Sequence, residues 1–330
     1  MTTIGDCGEH QLIASLRRRL PAGGADVVVG IGDDAAVLRA PRGELLVQTT
    51  DALVDGVHVD SRLIPPHAIG RRAVAVNLSD LAAMGARPAW LVLSLVLPAT
   101  LPVAHFESLI DGVRDEADRW QATVVGGNIT RSPGPLVVDV TATGSVRPRR
   151  LLRRDTARAG DTLYVTGTIG GAAAGLGLLR GGRATSSDDV AARYVAPTPR
   201  LREARALARE RAARAAIDVS DGLADAVRQL AAASGLGARI DAATLPLDPA
   251  LALWADVTGR EPLGAALASD DYELLVAVPP KSGGRLRAAR AGLTTPLTMI
   301  GALTREPDVV LVRDGVAAPL PGGFEHFASV

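Results

Sequence analysis

Four short segments set carboxylates beside glycine, threonine, asparagine or serine: Gly32-Asp33-Asp34, Thr49-Thr50-Asp51, Asn77-Leu78-Ser79-Asp80 and Asp218-Val219-Ser220-Asp221-Gly222. Hard oxygen ligands gathered from several segments are what magnesium and phosphate chemistry requires. Each segment alone has a plainer account, because Asp next to Gly marks a turn and Asp before a helix marks an N-cap. Four in one chain point to chemistry on phosphates.

The elements that must position these acids need a chain of adequate size. At 330 residues with 47% hydrophobic residues, the sequence has material for about two cores. Aromatics make up only 3%, so those cores are built from Ala, Val and Leu. The 36 basic and 36 acidic residues cancel, which leaves no overall field to attract nucleic acid or an anionic membrane. The Arg-rich stretch 147–158 reads as a solvated linker. The single lysine, Lys281, follows no Gly-rich phosphate loop, so a Walker-type site is excluded. One cysteine, Cys7, excludes internal disulfides and Cys-based zinc clusters. The most apolar stretch, 89–97, is bracketed by Pro88 and Pro98 and is far short of the ~20 residues that span a bilayer. The polar start of the chain lacks a signal-peptide pattern, and the protein is expected in the cytoplasm.

Patterning predicts a helix over 6–19 opened by an Asp6/Glu9 capping box, then short strands over 27–31, 36–38 and 45–49. Pro65-Pro66 starts a long helix ending near Gly85, on which Asn77 and Asp80 project from one face. A strand over 90–97, a helix over 103–120, a strand around Val124 and a strand over 136–146 complete a first unit. The segment 147–160 reads as a boundary, giving domains 1–148 and 149–330. Beyond it come strands over 162–166, 215–219, 273–278 and 309–312, with helices over 170–179, from Asp221-Gly222 onward, and over 250–257. No strict βαβ rhythm appears, so the expectation is α+β, a mixture of helix and sheet with antiparallel pairing. The Gly-rich run 167–182 follows a strand and opens a helix. Its spacing is not that of a dinucleotide loop, and tight helix-on-sheet packing is the better reading.

With these elements in place, the motifs resemble one family. Gly30-Ile31-Gly32-Asp33-Asp34-Ala35-Ala36, the run from Thr49-Thr50-Asp51 to His58, Asn77-Leu78-Ser79-Asp80-Leu81-Ala82-Ala83-Met84-Gly85-Ala86 and Ile217-Asp218-Val219-Ser220-Asp221-Gly222-Leu223 look like thiamine-monophosphate kinase, of the aminoimidazole ribonucleotide synthetase-like ATP-binding superfamily. The likeness continues through Tyr194-x-x-Pro197-x-x-Arg200, Asp271-Tyr272-Glu273-Leu274 and Gly323-Phe324-Glu325-His326-Phe327. It implies a two-domain fold: an N-terminal ATP- and metal-binding domain whose sheet pairs in a homodimer, and a C-terminal α/β sandwich completing the nucleotide and substrate site. It implies transfer of the ATP γ-phosphoryl to thiamine monophosphate, giving thiamine diphosphate and ADP, with several Mg2+ ions. Three positions depart from the family's usual residues: Asn128 stands for an Asp, Asp270 for a Glu, and Glu325 for an Asp.

The resemblance assigns the site as follows. Asp34, Asp51, Asp80, Asp218 and Asp221 are the catalytic acids and, with Thr49, Thr50 and Asn128, the metal ligands. Gly127, Asn128, Arg154 and Ser220 meet ATP, while His58, Asp270 and Phe324 meet the substrate. The physical need is clear, since one like-charge pair at 4 Å costs about 4 kcal/mol at an effective dielectric near 20. A monophosphate acceptor is already largely dianionic at pH 7 because its second pKa is near 6, so no general base is required. Plainer roles stand beside these: loop ordering for His58, a linker charge for Arg154, a turn for Gly126-Gly127, a helix cap for Ser220 and tail packing for Phe324. Two other functions stand against the leading one. Cys7 suggests a selenophosphate-synthetase-like enzyme of the same superfamily, though no lysine neighbours it, and a non-catalytic protein could bind thiamine phosphate or nucleotide through the same metals.

Overall fold

The computed structural model describes residues 2–21 and 23–322. The chain divides into two compact units, Met1–Leu81 with Arg87–Pro148, and Arg149–Val330 with the short segment Ala82–Ala86, which holds the last residues of a helix and the turn after it.

The first unit contains α1 (Ile4–Cys7), α2 (Glu9–Arg19), β1 (Val27–Val29), β2 (Val37–Leu38), β3 (Leu45–Val54), α3 (Pro66–Ala83), β4 (Arg87–Pro98), α4 (Val103–Arg119), β5 (Thr123–Ser132) and β6 (Val137–Val146). The predicted first helix is two helices broken at Gly8. Its capping box is formed by Thr3 and Asp6, one turn earlier than the spacing suggested.

Four strands form a sheet in the order β3-β6-β4-β5, antiparallel except for β4 with β5. One face carries Leu91, Leu93, Leu95, Val138 and Val140, all buried, and is covered by α3 and α4. These helices cross with almost no space between their backbones. A Cβ at Gly70 would lie 2.0 Å from the Leu109 carbonyl oxygen, and one at Gly112 would lie 2.0 Å from that of His67. Only glycine permits such an approach. The Arg71 guanidinium, donating to the buried Glu116 carboxylate at 2.8 and 2.9 Å, locks the crossing. The β1–β2 hairpin packs Val27, Ala36 and Leu38 against Ala89, Trp90 and Val125, and Trp90 Nε1 donates to Asp26 at 2.9 Å.

The strand predicted over 45–49 runs on to Val54, and the plain turn offered as the alternative for Gly126-Gly127 is instead part of a strand. Thr49-Thr50-Asp51 sits in the middle of β3, and Gly126-Gly127-Asn128 lies within β5, just past a register shift at Leu91/Val92. Ladder partners on both sequences impose extended backbone on residues whose local preference is for turns.

The second unit contains β7 (Thr162–Thr166), α5 (Gly171–Arg180), α6 (Ala192–Val195), α7 (Leu201–Arg209), β8 (Ala215–Asp218), α8 (Leu223–Ala233), β9 (Gly237–Asp241), α9 (Ala250–Thr258), α10 (Pro262–Leu267), β10 (Leu274–Val278), α11 (Gly283–Arg290), β11 (Leu297–Thr304), β12 (Val309–Arg313) and β13 (Val316–Pro319). Its seven-stranded sheet runs β13-β12-β9-β11-β7-β10-β8, antiparallel except for β12 with β9. The core joins Leu163, Val165, Ile217, Leu230, Ile240, Leu275 and Ile300. The Gly-rich run serves packing, as the sequence suggested, although the partners of α5 are helices. A Cβ at Gly177 would lie 2.4 Å from Trp254 Nε1 of α9.

Candidate functional site

In the first unit, β3 and α3 bring four of the singled-out residues together. Thr49 Oγ1 donates to Asp80 Oδ2 at 2.5 Å, and Asn77 Nδ2 donates to the Asp51 carbonyl at 3.4 Å and to that of Ala73 at 3.0 Å. Strand alternation sets the other face apart. Thr50 Oγ1 donates to Asp139 Oδ1 at 3.0 Å and lies 3.1 Å from Thr141 Oγ1, so its hydroxyl faces away from Asp80. Thr50 can therefore serve that pair only through its carbonyl. Asn128 is in register with Ser94, which pairs with Asp139, and so shares the Thr50 face. Asp34 occupies the exposed loop between β1 and β2, its N–H held at 2.8 Å by Asp33 Oδ1.

His58 follows β3 in a tight loop. Its N–H donates to the Val54 carbonyl at 2.9 Å, while the Val54 N–H donates to its Nδ1 at 3.1 Å. Nδ1 is thus the acceptor, which leaves the ring proton on Nε2. Asp55 ties the same loop by accepting from the Ser61 N–H and hydroxyl at 2.9 and 2.7 Å.

In the second unit, Asp218 ends β8 in register with Leu274, and it is buried. The Val219 N–H donates to the Glu273 carbonyl at 2.8 Å, and the Tyr272 N–H donates to the Val219 carbonyl at 2.9 Å. This ladder holds Ser220 and Asp221, both half-buried, beside the strand leaving Asp270. Gly222 completes the turn at φ +94° as the N-cap of α8, so Ser220 is not that cap. Arg154 NH1 donates to Gln229 Oε1 of α8 at 2.7 Å, whereas Arg153 pairs with Asp155. Phe324 lies outside the described residues.

Acids that the sequence offered only as motif letters turn out to build this scaffold. Asp271 accepts from the N–H groups of Gly170 and Ala172 at 2.5 and 2.9 Å, and Ser269 Oγ accepts from that of Ala173 at 3.0 Å. The N-terminus of α5 is therefore filled by the protein's own side chains and offers no phosphate site. Burial pushes the Asp271 carboxyl up to about 6, against the lowering effect of those two donors and of Arg193. Glu273, fully buried, accepts from Arg193 and Arg200. Such pairs, 73 and 80 residues apart, leave no local trace in sequence.

Two family models cover most of the chain: AIR synthase related protein, N-terminal domain, over residues 32–146, and its C-terminal domain over residues 158–314. Thiamine-monophosphate kinase of Escherichia coli K12 is 40% identical over 330 residues, spanning 98% of this chain and 99% of that protein. The chain belongs to the thiamine-monophosphate kinase family. The crystal structure of thiamine-monophosphate kinase from Stenotrophomonas maltophilia superposes with a TM-score of 0.79 at 38% identity, over 94% of this chain and 96% of that one. The structure of AaThiL complexed with AMPPCP and TMP superposes with a TM-score of 0.77 at 31% identity, over 99% of both chains.

For a thiamine-monophosphate kinase, magnesium is the ion to test against these residues. Mg2+ takes oxygen donors only, usually one or two carboxylates with waters and substrate phosphates. Thr49, Asp51 and Asp80 in the first unit, and Asp218, Ser220 and Asp221 in the second, offer oxygen alone. Asn77 Oδ1, buried beside Asp51, has no hydrogen-bond partner among the described residues, an acceptor oxygen left over in a polar site. Among the described residues no three His, Cys, Asp or Glu side chains are grouped so as to hold a metal ion. The residues fit magnesium.

Proposed function

We propose that this protein catalyses Mg2+-dependent transfer of the ATP γ-phosphoryl to thiamine monophosphate, giving thiamine diphosphate and ADP. Family membership supports the reaction, and the observation that carries the residue roles is the Thr49–Asp80–Asp51 grouping on β3 and α3. The related structure holds AMPPCP and TMP, which supports the same pair of substrates here.

Asp34, Asp51, Asp80, Asp218 and Asp221 hold the ions, aided by the Thr49 hydroxyl, the Thr50 carbonyl and Asn128. Bound magnesium supplies charge neutralisation between the two phosphates and a template for in-line transfer. Gly127, Arg154 and Ser220 orient the nucleotide, Arg154 as a charged donor to phosphate oxygens. His58 presents Nε2–H to the substrate as a donor, not a base. Asp270 meets the cationic or aminopyrimidine part of thiamine, and Phe324 supplies a stacking face.

The sheet of the first unit supports a homodimer. Its open face carries Leu46, Thr50, Val92, Ser94 and Thr141, with Leu46 53% and Val92 41% exposed. Asp51 and Asn128 occupy opposite edge strands, three strand spacings or roughly 14 Å apart. A site using both draws them from two copies, and unpaired edges favour that association.

Incubating the protein with ATP, Mg2+ and thiamine monophosphate tests the reaction, and absence of thiamine diphosphate refutes it. Mixing Asp51→Asn with Asn128→Ala chains tests the pairing, because mixed dimers regain one intact site. No helix among the described residues is long and apolar enough to cross a membrane.

A further inference from the structure

The motif letters Arg200, Asp271 and Glu273 belong to no ligand set, yet they anchor the segment that carries Asp218 and Asp221. Glu273 is fully buried and its carboxylate is saturated. It accepts from Thr166 Oγ1 at 2.6 Å, from Arg193 NH2 at 2.5 Å, and from Arg200 Nε and NH2 at 2.6 and 2.5 Å. Thr166 Oγ1 in turn accepts from the Leu274 N–H at 2.8 Å. Room for the carboxylate exists only because residue 167 is glycine, whose Cβ would fall 2.2 Å from Glu273 Oε1. Burial opposes the Arg200 charge, but the Glu273 carboxylate beside it holds its pKa above the ordinary value.

Stability alone gives little reason for two guanidinium groups around one buried carboxylate, since well-packed apolar residues serve a core equally well. What the cluster does fix is backbone. Glu273 supplies the carbonyl for the Val219 N–H, and Tyr272 supplies the N–H for the Val219 carbonyl. Tyr272 adopts φ +54°, a conformation costly for a bulky residue and retained only where the surroundings impose it. Asp271, bonded to the start of α5, fixes the next residue back. Asp218 and Asp221 lie on either side of Val219-Ser220, and Asp270 immediately precedes the clamped triplet.

We propose that the Arg193–Arg200–Glu273 cluster is a positioning device that sets the separation of Asp218 and Asp221 and the placement of Asp270 for metal and substrate. In this proposal the cluster acts through the Val219 ladder, which its Glu273 backbone carbonyl completes. The proposal rests on the kinase reading for its consequence in activity, but its structural core is tested independently.

The experiment compares wild type, Glu273→Gln and Arg200→Lys, the second retaining charge while losing the two-pronged contact. Hydrogen exchange followed by mass spectrometry is expected to rise about tenfold in peptides spanning 216–222 and 268–274, the scale of one lost charge-assisted bond. Peptides of the first unit are expected to be unchanged. In turnover with ATP and thiamine monophosphate, the Mg2+ concentration for half-maximal rate is expected to rise several-fold, with excess Mg2+ restoring part of the rate. A lowered melting temperature with unchanged local exchange, or local loosening with an unaltered Mg2+ requirement, overturns the proposal. Should Glu273→Gln fail to fold, Arg200→Lys decides by the same two readouts. If wild type makes no thiamine diphosphate the kinase reading fails, while the exchange data still decide whether the cluster holds the loop.

Discussion

Replacing Gly222 by alanine tests the geometry of the second acid group directly. This glycine follows Asp221 at φ +94° and ψ 155°, a region almost closed to other residues and costing them about 1–3 kcal/mol. A Cβ there would stand 2.5 Å from the Leu267 carbonyl oxygen and 2.6 Å from Ala268 Cα. Both are backbone atoms, so no side chain can swing away, and overpacking adds about 1–3 kcal/mol. The expected loss is therefore about 4 kcal/mol. At about 2–4 °C per kcal/mol for a unit of this size, the melting temperature should fall by about 10 °C. Urea unfolding of the second unit measures the first figure and calorimetry the second. Any folded Gly222→Ala protein should also turn over about 10²-fold more slowly, because moving Asp221 by an ångström spoils its alignment. Gly284→Ala is the control of opposite sign. It lies in α11 with an ordinary φ and open space around the new Cβ, and should gain about 0.4–1 kcal/mol. A Gly222→Ala loss below about 1 kcal/mol would refute the reasoning.

Three further outcomes follow from the site. Asp51→Asn and Asp221→Asn should each abolish product formation while leaving circular dichroism and melting near wild type; near-normal rates in both would reduce these acids to scaffold. Asp271→Asn should alter the pH dependence of stability. The wild-type carboxyl titrates near 6 when folded and at 3.8 when free, so its contribution is fully present below pH 3.8 and fades as pH rises through 6. At ~1.4 kcal/mol per pKa unit, the variant should gain up to about 3 kcal/mol relative to wild type between pH 4 and pH 7, and parallel urea-denaturation curves across that range would show the shift absent. His58→Asn should raise the thiamine monophosphate concentration needed for half-maximal rate without changing the pH profile, because the acceptor phosphate sets that profile; loss of a titration step near neutrality would make His58 a base.

Long elements were legible in the sequence where periodicity and breakers agreed. α3 begins after Pro65 and ends before Gly85, while β4 and α4 match their apolar patterns closely. The errors fall where tertiary partners overrule local preference. The strand over 45–49 stops five residues short in sequence, because only pairing with β6 along its whole length carries it through Thr50 and Asp51 to Val54. The early stop conceals the alternation that sends the Thr49 and Thr50 hydroxyls to opposite faces. β11 escaped notice because it is interrupted by Gly301 at a register shift, although it lies at the middle of its sheet. The acids of the candidate site were visible because their residue types are unusual in those settings. Glu273 and Asp271 were visible as letters of a motif, but their roles depend on Arg193, Arg200 and the α5 N-terminus, which only the fold brings near.

In the metal site proposed above, the near-touching backbones of α3 and α4 tie ion geometry to residues that carry no functional group. Gly70 stands ten residues before Asp80, a lever of about 15 Å along a stiff rod. Any methyl added at Gly70 or Gly112 pries that rod from its fulcrum, and the far end swings Asp80 relative to Thr49. Divalent ions tolerate only tenths of an ångström in such spacings. Substitutions at two silent glycines would thus read out as altered ion affinity, on a helix whose own chemistry is untouched.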